Sequence, residues 1–149
     1  MGPAAGTSSE ASPDRVSDDL VELLTVTQRR VARGVAGALA EDGATLDSYR
    51  LLRSLAGGGR AMGELVTALH LPAPTLTRLV DAAVNGALAY RLPDPEDRRK
   101  VVVHLSDLGR TRLARLEALV RSNEAALAAT LGAQRVAALI RARADLADD

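Results

Sequence analysis

The sequence predicts a mostly α-helical protein with one small, two-stranded β hairpin. Three observations lead to this fold class. First, the apolar residues are mostly Leu, Ala and Val, with no Phe or Trp, and an aliphatic core of this kind is typical of helices packed on helices. Second, these residues recur at helical spacing over most of the 149 positions. Third, the charged stretch PDPEDRRK separates two short segments with the composition of β-strands.

Six helices are predicted from apolar residues three or four positions apart and from the residues at the helix ends. Ser12 and Pro13 suit the start of the first helix, because proline needs no N–H partner in the first turn. Thr45 and Ser106 are candidate N-caps of the second and fifth helices, and Pro72 fits the start of the fourth. The predicted helices cover residues 13–43, 46–56, 62–69, 72–86, 106–131 and 133–146.

The two strand candidates, residues 88–92 and 101–105, are joined by a proline-stiffened loop, which predicts an antiparallel hairpin with an extended tip. The glycines at residues 57–59 predict a flexible turn between the second and third helices. Two short helices, a turn, a third helix and then a hairpin are the parts of a winged helix-turn-helix, in which the hairpin is the wing.

The long helices on either side carry more apolar positions than this small lobe can cover. We expect a disordered tail at residues 1–14 and a single domain at residues 15–146, with a winged helix-turn-helix lobe (45–105) between dimerisation helices (15–43 and 106–146). A second copy of the chain is the simplest cover for the excess apolar surface, so we expect a homodimer. The positions concerned include Leu20, Leu24, Val31, Leu131, Val136 and Ile140.

Charge is unevenly distributed, although the formal net charge is zero. Residues 98–121 hold seven basic and two acidic residues, whereas residues 1–48 hold four basic and eight acidic residues. The basic zone could bind an anion or nucleic acid, or it could be an ordinary solvated helix face.

Several classes of function are excluded by what the sequence lacks. Without cysteine there is no disulfide, thiolate nucleophile or cysteine-based zinc site. Two histidines, His70 and His104, are too few for a metal site, so we assign both structural roles and expect no metal and no cofactor. No hydrolase, phosphate-loop or paired acid–base motif is present, which predicts that the protein is not an enzyme. The absence of a secretory signal and of a long apolar run predicts a cytoplasmic location.

The tip of the hairpin combines three acidic with three basic residues, which suits a surface arm. In extended backbone alternate side chains share a side, so Asp97 and Arg99 would point one way and Arg98 the other. A carboxylate that holds the Arg99 guanidinium would aim it at a DNA minor groove, where negative potential attracts arginine. The alternative is an ordinary surface ion pair of Arg99 with Asp97 or Glu96.

At these residues the sequence resembles the MarR family of bacterial transcription regulators. The family's wing signature is D-x-R, followed by hydrophobic-x-Leu-Ser/Thr-x-x-Gly, and the sequence matches it with DPEDRR at residues 94–99 and VHLSDLG at residues 103–109. The segment TLTRLVD, residues 75–81, resembles the core of the family's recognition helix. Ala83 and Ala87 depart from the family, which has Leu and Gly at these positions.

The resemblance implies a homodimer that reads a pseudo-palindromic site in double-stranded DNA. Thr75, Thr77 and Arg78 would then face the major groove. Arg99 would enter the minor groove, positioned by Asp97.

Arg98 and Lys100 are expected to contact phosphates without reading the base sequence. The resemblance further implies a small organic effector, phenolic or anionic, bound between the dimerisation helices and the DNA-binding lobe. Tyr49, Arg15 and Arg53 are the candidate residues for such a pocket, with a place in the core as the alternative for Tyr49.

The favoured function is therefore a ligand-responsive repressor. Two alternatives stay open, one for the role of Arg78 and one for the function of the protein. Arg78 could pair with Asp81, three residues further along the helix, instead of contacting DNA. The protein could also be a helical protein–protein interaction module whose basic wing binds an acidic partner. The effector, the operator, the target genes and the choice between repression and activation are not specified by the sequence.

Overall fold

A computed structural model describes the backbone of residues 13–147. The packing of the Cα trace divides the chain into two units, Met1–Arg33 and Gly34–Asp149. Most of the predicted tail, with the candidate cap Ser12, lies outside the described residues, and Pro13 is already helical. Side chains are described for residues 21–22, 24–138 and 140–141.

The described residues form helices and short strands in the predicted order, and the helix bounds agree closely with those expected from the sequence. In the described part of the chain, no helix is both long enough and apolar enough to cross a membrane. The elements are α1 (Pro13–Ala40), α2 (Leu46–Leu55), β1 (Arg60–Ala61), α3 (Met62–Leu69), α4 (Ala73–Asn85), β2 (Ala89–Pro93), β3 (Val101–Leu105), α5 (Asp107–Leu131) and α6 (Ala133–Ala147).

The side chains at two helix starts bind main-chain N–H groups, as the sequence predicted. At α2, the Ser48 N–H donates to Thr45 Oγ1 at 3.1 Å, while the Thr45 N–H donates to Ser48 Oγ at 2.9 Å. At α5, the Gly109 N–H donates to Ser106 Oγ at 2.9 Å. These bonds satisfy donors that would otherwise be unpaired in the first turn, and so they fix where both helices begin.

The sheet has three strands, in the order β1-β3-β2, and not the two that were predicted. β2 and β3 form the expected antiparallel hairpin, with Ala89 opposite Leu105. β1 pairs with the other edge of β3, and its two residues are too few to show an alternating pattern in the sequence. A Cβ atom on Gly59 would overlap the imidazole of His104, so this glycine is required for the close approach of the preceding loop to β3.

The core lies in the second unit and is aliphatic, which confirms the prediction from composition. It is formed by one face of each of α2, α3, α4 and α5, the end of α1 and the inner face of the sheet. Tyr49 is the one aromatic residue among the described core residues. The largest fully buried side chains are Leu39, Leu51, Leu52, Leu55, Leu65, Leu76, Leu116, Val80 and Val103.

The turn that follows α4 is tied directly to the start of α5. Ala87 has a left-handed backbone with φ +57°, and its carbonyl accepts a 2.7 Å hydrogen bond from Ser106 Oγ. The Leu88 carbonyl accepts the Ser106 N–H at 3.0 Å. A Cβ atom on Gly109 would overlap this same carbonyl, so the Ser-x-x-Gly spacing serves a close backbone contact as well as a helix cap.

A second tie joins the turn after α1 to α5. Arg115 Nη2 donates to Asp42 Oδ1 at 2.6 Å, and Arg112 Nη1 lies 2.6 Å from Asp42 Oδ2 as an ion pair. Arg112 also donates to the main-chain carbonyl of Asp42. The Asp42 side chain is only 17% exposed. Removing the carboxylate or the two arginines would therefore leave the other charge without its partner in a place where water solvates it poorly.

Ala87→Gly should raise the free energy of unfolding by about 1 kcal/mol, because glycine adopts a positive φ without the steric penalty of a Cβ atom. Urea denaturation followed by circular dichroism measures the change. The matched control is Ala125→Gly in the exposed interior of α5, which should lower the same quantity by about 1 kcal/mol. A lower stability for Ala87→Gly than for the parent would contradict this account of the turn.

Candidate nucleic-acid interface

The turn between α3 and α4 reverses the chain sharply and is fixed from both sides. His70 follows α3 with φ +53° and ψ +40°, a left-handed conformation that histidine tolerates better than bulky or branched residues do. Arg50 of α2 donates to the Leu69 carbonyl at 3.0 Å, which satisfies an acceptor at the end of α3. Pro72 then precedes α4 with φ −57°, a value that suits a helix start.

α4 is divided into an inward and an outward face by its own periodicity. Leu76, Val80 and Ala83 are buried at spacings of four and three, which anchors the helix on the core. The opposite face is solvent-exposed and carries the three residues that were expected to face DNA, together with one acid. These outward residues are Thr75, Thr77, Arg78 and Asp81.

Asp81 is bound to the wing and not to Arg78. Its Oδ1 accepts from Arg91 Nη2 of β2 at 2.5 Å, in a half-exposed ion pair that joins α4 to the first wing strand. Arg78 makes no ion pair with any residue that the structure describes. The i,i+3 pairing that was the alternative role for Arg78 is therefore absent, and its guanidinium is exposed.

The tip of the wing is a turn and not the extended arm that the sequence predicted. The Lys100 N–H donates to the Asp97 carbonyl at 2.9 Å, which closes a β-turn over residues 97–100. The Asp94 N–H donates to the Lys100 carbonyl at 2.9 Å and closes the wider loop at its base. The loop between the ends of β2 and β3, residues 94–100, is thus closed by two main-chain hydrogen bonds, one at its base and one across the four-residue turn at its tip.

Two of the three acids of the tip bind the main chain, which corrects the expected carboxylate–guanidinium pair. Asp94 Oδ1 accepts the Glu96 N–H at 2.8 Å, and Asp97 Oδ1 accepts the Arg99 N–H at 3.1 Å. An aspartate reaches the N–H two residues ahead easily, whereas the arginine side chain would have to fold back to meet it. Among the described residues, no ion pair joins Asp97 to Arg99.

As a result, the cations of the tip point into solvent without a protein counter-charge. Arg98, Arg99 and Lys100 are all exposed, and none forms an ion pair with another described residue. Three positive side chains on one short, hydrogen-bonded turn form a compact surface for an anion such as the phosphate backbone of a nucleic acid.

Away from the tip, the wing is stiffened by an aromatic contact. The rings of Tyr90 on β2 and His104 on β3 stack, with centroids 5.3 Å apart and planes 14° apart. The two residues are direct cross-strand partners, so the stack fixes the register of the hairpin.

No described group of three or more His, Cys, Asp or Glu residues is arranged to hold a metal ion.

Of the three residues expected to line an effector pocket, the structure brings Tyr49 and Arg53 into contact. Tyr49 is a buried core residue, and Arg53 Nη1 lies 3.4 Å from its hydroxyl group at the protein surface. The side chain of Arg15 lies outside the described residues. Neither Tyr49 nor Arg53 lines the partly open cavity that is found between α2, α4 and α5.

That cavity has a volume of about 150 Å³ and is mainly apolar. It exists because small residues, among them Ala83 on α4 and Ala44 before α2, face one another across the gap between the helices. Ser48 and Arg112 supply polar groups at its edge. The remaining wall is formed by Gly43, Leu51, Leu52, Leu79, Ala82, Leu88 and Leu116.

Three of these features escaped prediction from the sequence. The Asp81–Arg91 pair joins residues ten positions apart in different elements, which no local pattern reveals. The role of Asp94 does have a local signal, because an aspartate whose carboxylate accepts main-chain N–H groups two or three residues further along is typical of an Asx turn. The cavity depends on how three helices pack and has no local signal at all.

The geometry just described matches a known family. A family model described as the MarR family matches residues 42–100, which span the helix-turn-helix, the first wing strand and the wing tip. Over 93% of this chain and 99% of the other, the fold superposes on the transcriptional repressor CouR, solved bound to a 23-mer DNA duplex, with a TM-score of 0.81 and 30% identity. The chain belongs to the MarR family. It is a transcriptional regulator of that family.

Other MarR-family structures agree with this assignment. Wild-type MarR from E. coli in its apo form is 26% identical over 85% of this chain and 96% of that one, with a TM-score of 0.77. A mutant of the same protein complexed with operator DNA shares the fold, with a TM-score of 0.78 and 24% identity over 91% of this chain and 99% of that one. Comparison with curated protein sequences gave no match.

Asp97→Ala should loosen the wing turn, because the Arg99 N–H loses its side-chain acceptor, whereas Asp97→Asn should preserve it through the amide oxygen. Hydrogen exchange at the Arg99 amide measures the difference and should be about tenfold faster in the alanine variant only. If the Arg99 amide exchanges faster than in the parent in both variants, and equally fast in the two, the negative charge of Asp97 and not its hydrogen bond holds the tip.

Proposed function

We propose that this MarR-family chain is a ligand-responsive repressor that binds a pseudo-palindromic operator as a homodimer. The observation that carries the proposal is the wing tip, where Asp94 and Asp97 bind main-chain N–H groups. Arg98, Arg99 and Lys100 are exposed there and form no ion pair with any residue that the structure describes. The similarity to CouR, a repressor bound to a DNA duplex, supports the same kind of ligand for this surface.

The outward face of α4 is suited to the major groove. The Thr77 hydroxyl donates its proton to the Ala73 carbonyl at 2.9 Å, so its oxygen lone pairs are left to accept from a base amino group or a bound water. Arg78 and Thr75 are exposed beside it, and an arginine here can donate to guanine or to phosphate. In this proposal Arg99 enters the minor groove, and Asp97 positions it by holding its main-chain N–H.

The homodimer is supported by exposed apolar side chains outside the winged lobe. On α1, Val21 and Leu24 are 65% and 51% exposed, and on α6 Ile140 is 64% exposed. Apolar side chains of this size are usually covered, and a symmetric partner would cover both sets. Two copies would also present two wings and two copies of α4, which a dyad-symmetric operator requires.

The proposal is tested by mixing the protein with fragmented genomic DNA at two salt concentrations and mapping the protected sites. We expect dyad-symmetric footprints, binding that weakens steeply with salt, and a protein–DNA complex with two chains by light scattering. Salt-insensitive binding without a footprint would favour the alternative function, a protein-interaction module with an acidic partner. A clean monomer on DNA would refute the homodimer.

Arg99→Ala should weaken operator binding by about 1–3 kcal/mol per half-site, because a cation is lost where the groove potential is most negative. Arg98→Ala is the matched control, with the same change of charge one residue away. We expect it to cost less and to act equally on operator and scrambled duplexes. Fluorescence anisotropy over a salt series measures both. If Arg99→Ala binds the operator as tightly as the parent, the wing arginine does not read DNA.

We further propose that a small organic effector, phenolic or anionic, binds in the cavity between α2, α4 and α5. A mainly apolar cavity of about 150 Å³ is large enough for a single aromatic ring. Ser48 or Arg112 at its edge could bind one polar substituent. Because α4 forms one wall, an occupant would act on the helix that is proposed to read the operator.

Ala83→Leu should abolish the effector response, because the larger side chain fills the cavity from α4. The assay is release of the parent from its operator by a panel of single-ring phenols and benzoates, measured by anisotropy. We expect Ala83→Leu to bind the operator and to ignore compounds that release the parent. If both proteins respond alike, the effector binds elsewhere.

A further inference from the structure

Lys100 is chemically unique in this chain, because it is the single lysine among 19 basic residues. It lies on the turn at the tip of the wing, is exposed, and has no ion-pair partner among the described residues. Guanidinium groups stay protonated and do not react with acyl donors near neutral pH, whereas an amine does. The tip therefore carries the one described side chain that amine chemistry can modify.

A cleft of about 610 Å³ opens beside this amine, between the wing and the start of α3. Met62, Val101 and Val102 give it apolar walls. Glu64 and Asp94 add two carboxylates, each with one oxygen bound to a main-chain N–H and the other oxygen left over. The cleft thus combines an amine, apolar surface and proton acceptors.

We propose that Lys100 is a site of Nζ-acylation by an activated acyl donor, a thioester or an acyl phosphate, and that this modification switches off DNA binding. The switch rests on the proposed DNA-binding function. A carboxylate of the cleft takes a proton from the ammonium group, and the freed lone pair attacks the acyl carbonyl carbon. The new C–N bond forms as the bond to the thiolate or phosphate breaks, and the leaving group departs with that electron pair. The nitrogen then loses its second proton to the departing thiolate or phosphate, which leaves an uncharged amide.

The product is an amide without charge, so each wing tip loses one of its three cations. The fold of the turn does not depend on this side chain, because Lys100 takes part in it through its main-chain N–H and carbonyl. The acyl group can lie against the apolar wall formed by Met62 and Val102. Acylation would therefore change the surface charge of the tip and leave its backbone intact.

The test treats the full chain with acetyl phosphate in one arm and with S-acetyl-N-acetylcysteamine, a thioester, in the other. Mass spectrometry gives the rate at Lys100, and anisotropy gives the operator affinity of the product. Against Nα-acetyl-lysine amide, we expect Lys100 to react at least about threefold faster with one or both donors. The arm with the larger ratio identifies the donor class. Glu64→Gln, which can still accept the Ala61 N–H, should lower that rate.

After acetylation the affinity for the operator should fall by about tenfold at moderate salt, because one cation is lost per subunit. Lys100→Arg keeps a charge that cannot be acylated, so the ratio of treated to untreated affinity should stay within about twofold, whatever its untreated affinity. This control also accounts for reaction at any other amine.

Two results would overturn the acylation proposal alone. One is an acetylated protein that binds as tightly as the untreated protein, and the other is a rate at Lys100 no faster than that of the free model amine. An untreated protein that binds no DNA would overturn the proposed function, and the switch would fall with it.

Discussion

The hydrogen bonds of Ser106 hold the architecture of the winged lobe together. Its hydroxyl donates to Ala87 at 2.7 Å and its N–H donates to Leu88 at 3.0 Å, while the same hydroxyl accepts the N–H of Gly109. One residue therefore joins the exit of α4, the approach to β2 and the first turn of α5. The direction of α4 and the base of the wing both depend on the hydrogen bonds of Ser106. The Leu88 carbonyl can come this close to α5 because Gly109 has no Cβ atom.

The parts of the fold that local chemistry determines could be predicted from the sequence. Thr45 and Ser106 mark helix starts because a hydroxyl that accepts an early N–H is favoured in any context. Pro72 marks another, because proline fits a helix start and disrupts a helix interior. The aliphatic core follows from composition, since without Phe or Trp it must be filled mainly by Leu and Val. Such signals act within a few residues and need no knowledge of the tertiary structure.

The predictions that failed, or were not made, concern places where two hydrogen-bond partners compete for one side chain or where segments distant in the sequence pack together. Asp97 was expected to bind the Arg99 guanidinium, but the main-chain N–H of the same residue is closer and costs less side-chain entropy. β1 forms because Gly59 lets a loop approach His104 from over 40 positions away, which no pattern in either segment indicates. The cavity behind Ala83 likewise arises from packing between helices. Of the proposed site, the residue types were predictable and their hydrogen bonding was not.

The two tyrosines divide the near-ultraviolet signal of the chain between the core and the wing. Tyr49 is buried on α2, whereas Tyr90 is about half exposed and stacks on His104 in the wing hairpin. With no tryptophan in the sequence to mask them, their emission can be read directly. Replacing Tyr49 with phenylalanine would leave a protein whose intrinsic fluorescence comes from the wing alone. Tyr90 is therefore an intrinsic optical label on the same hairpin as the proposed DNA contacts, and local motion there can be followed without attaching a dye.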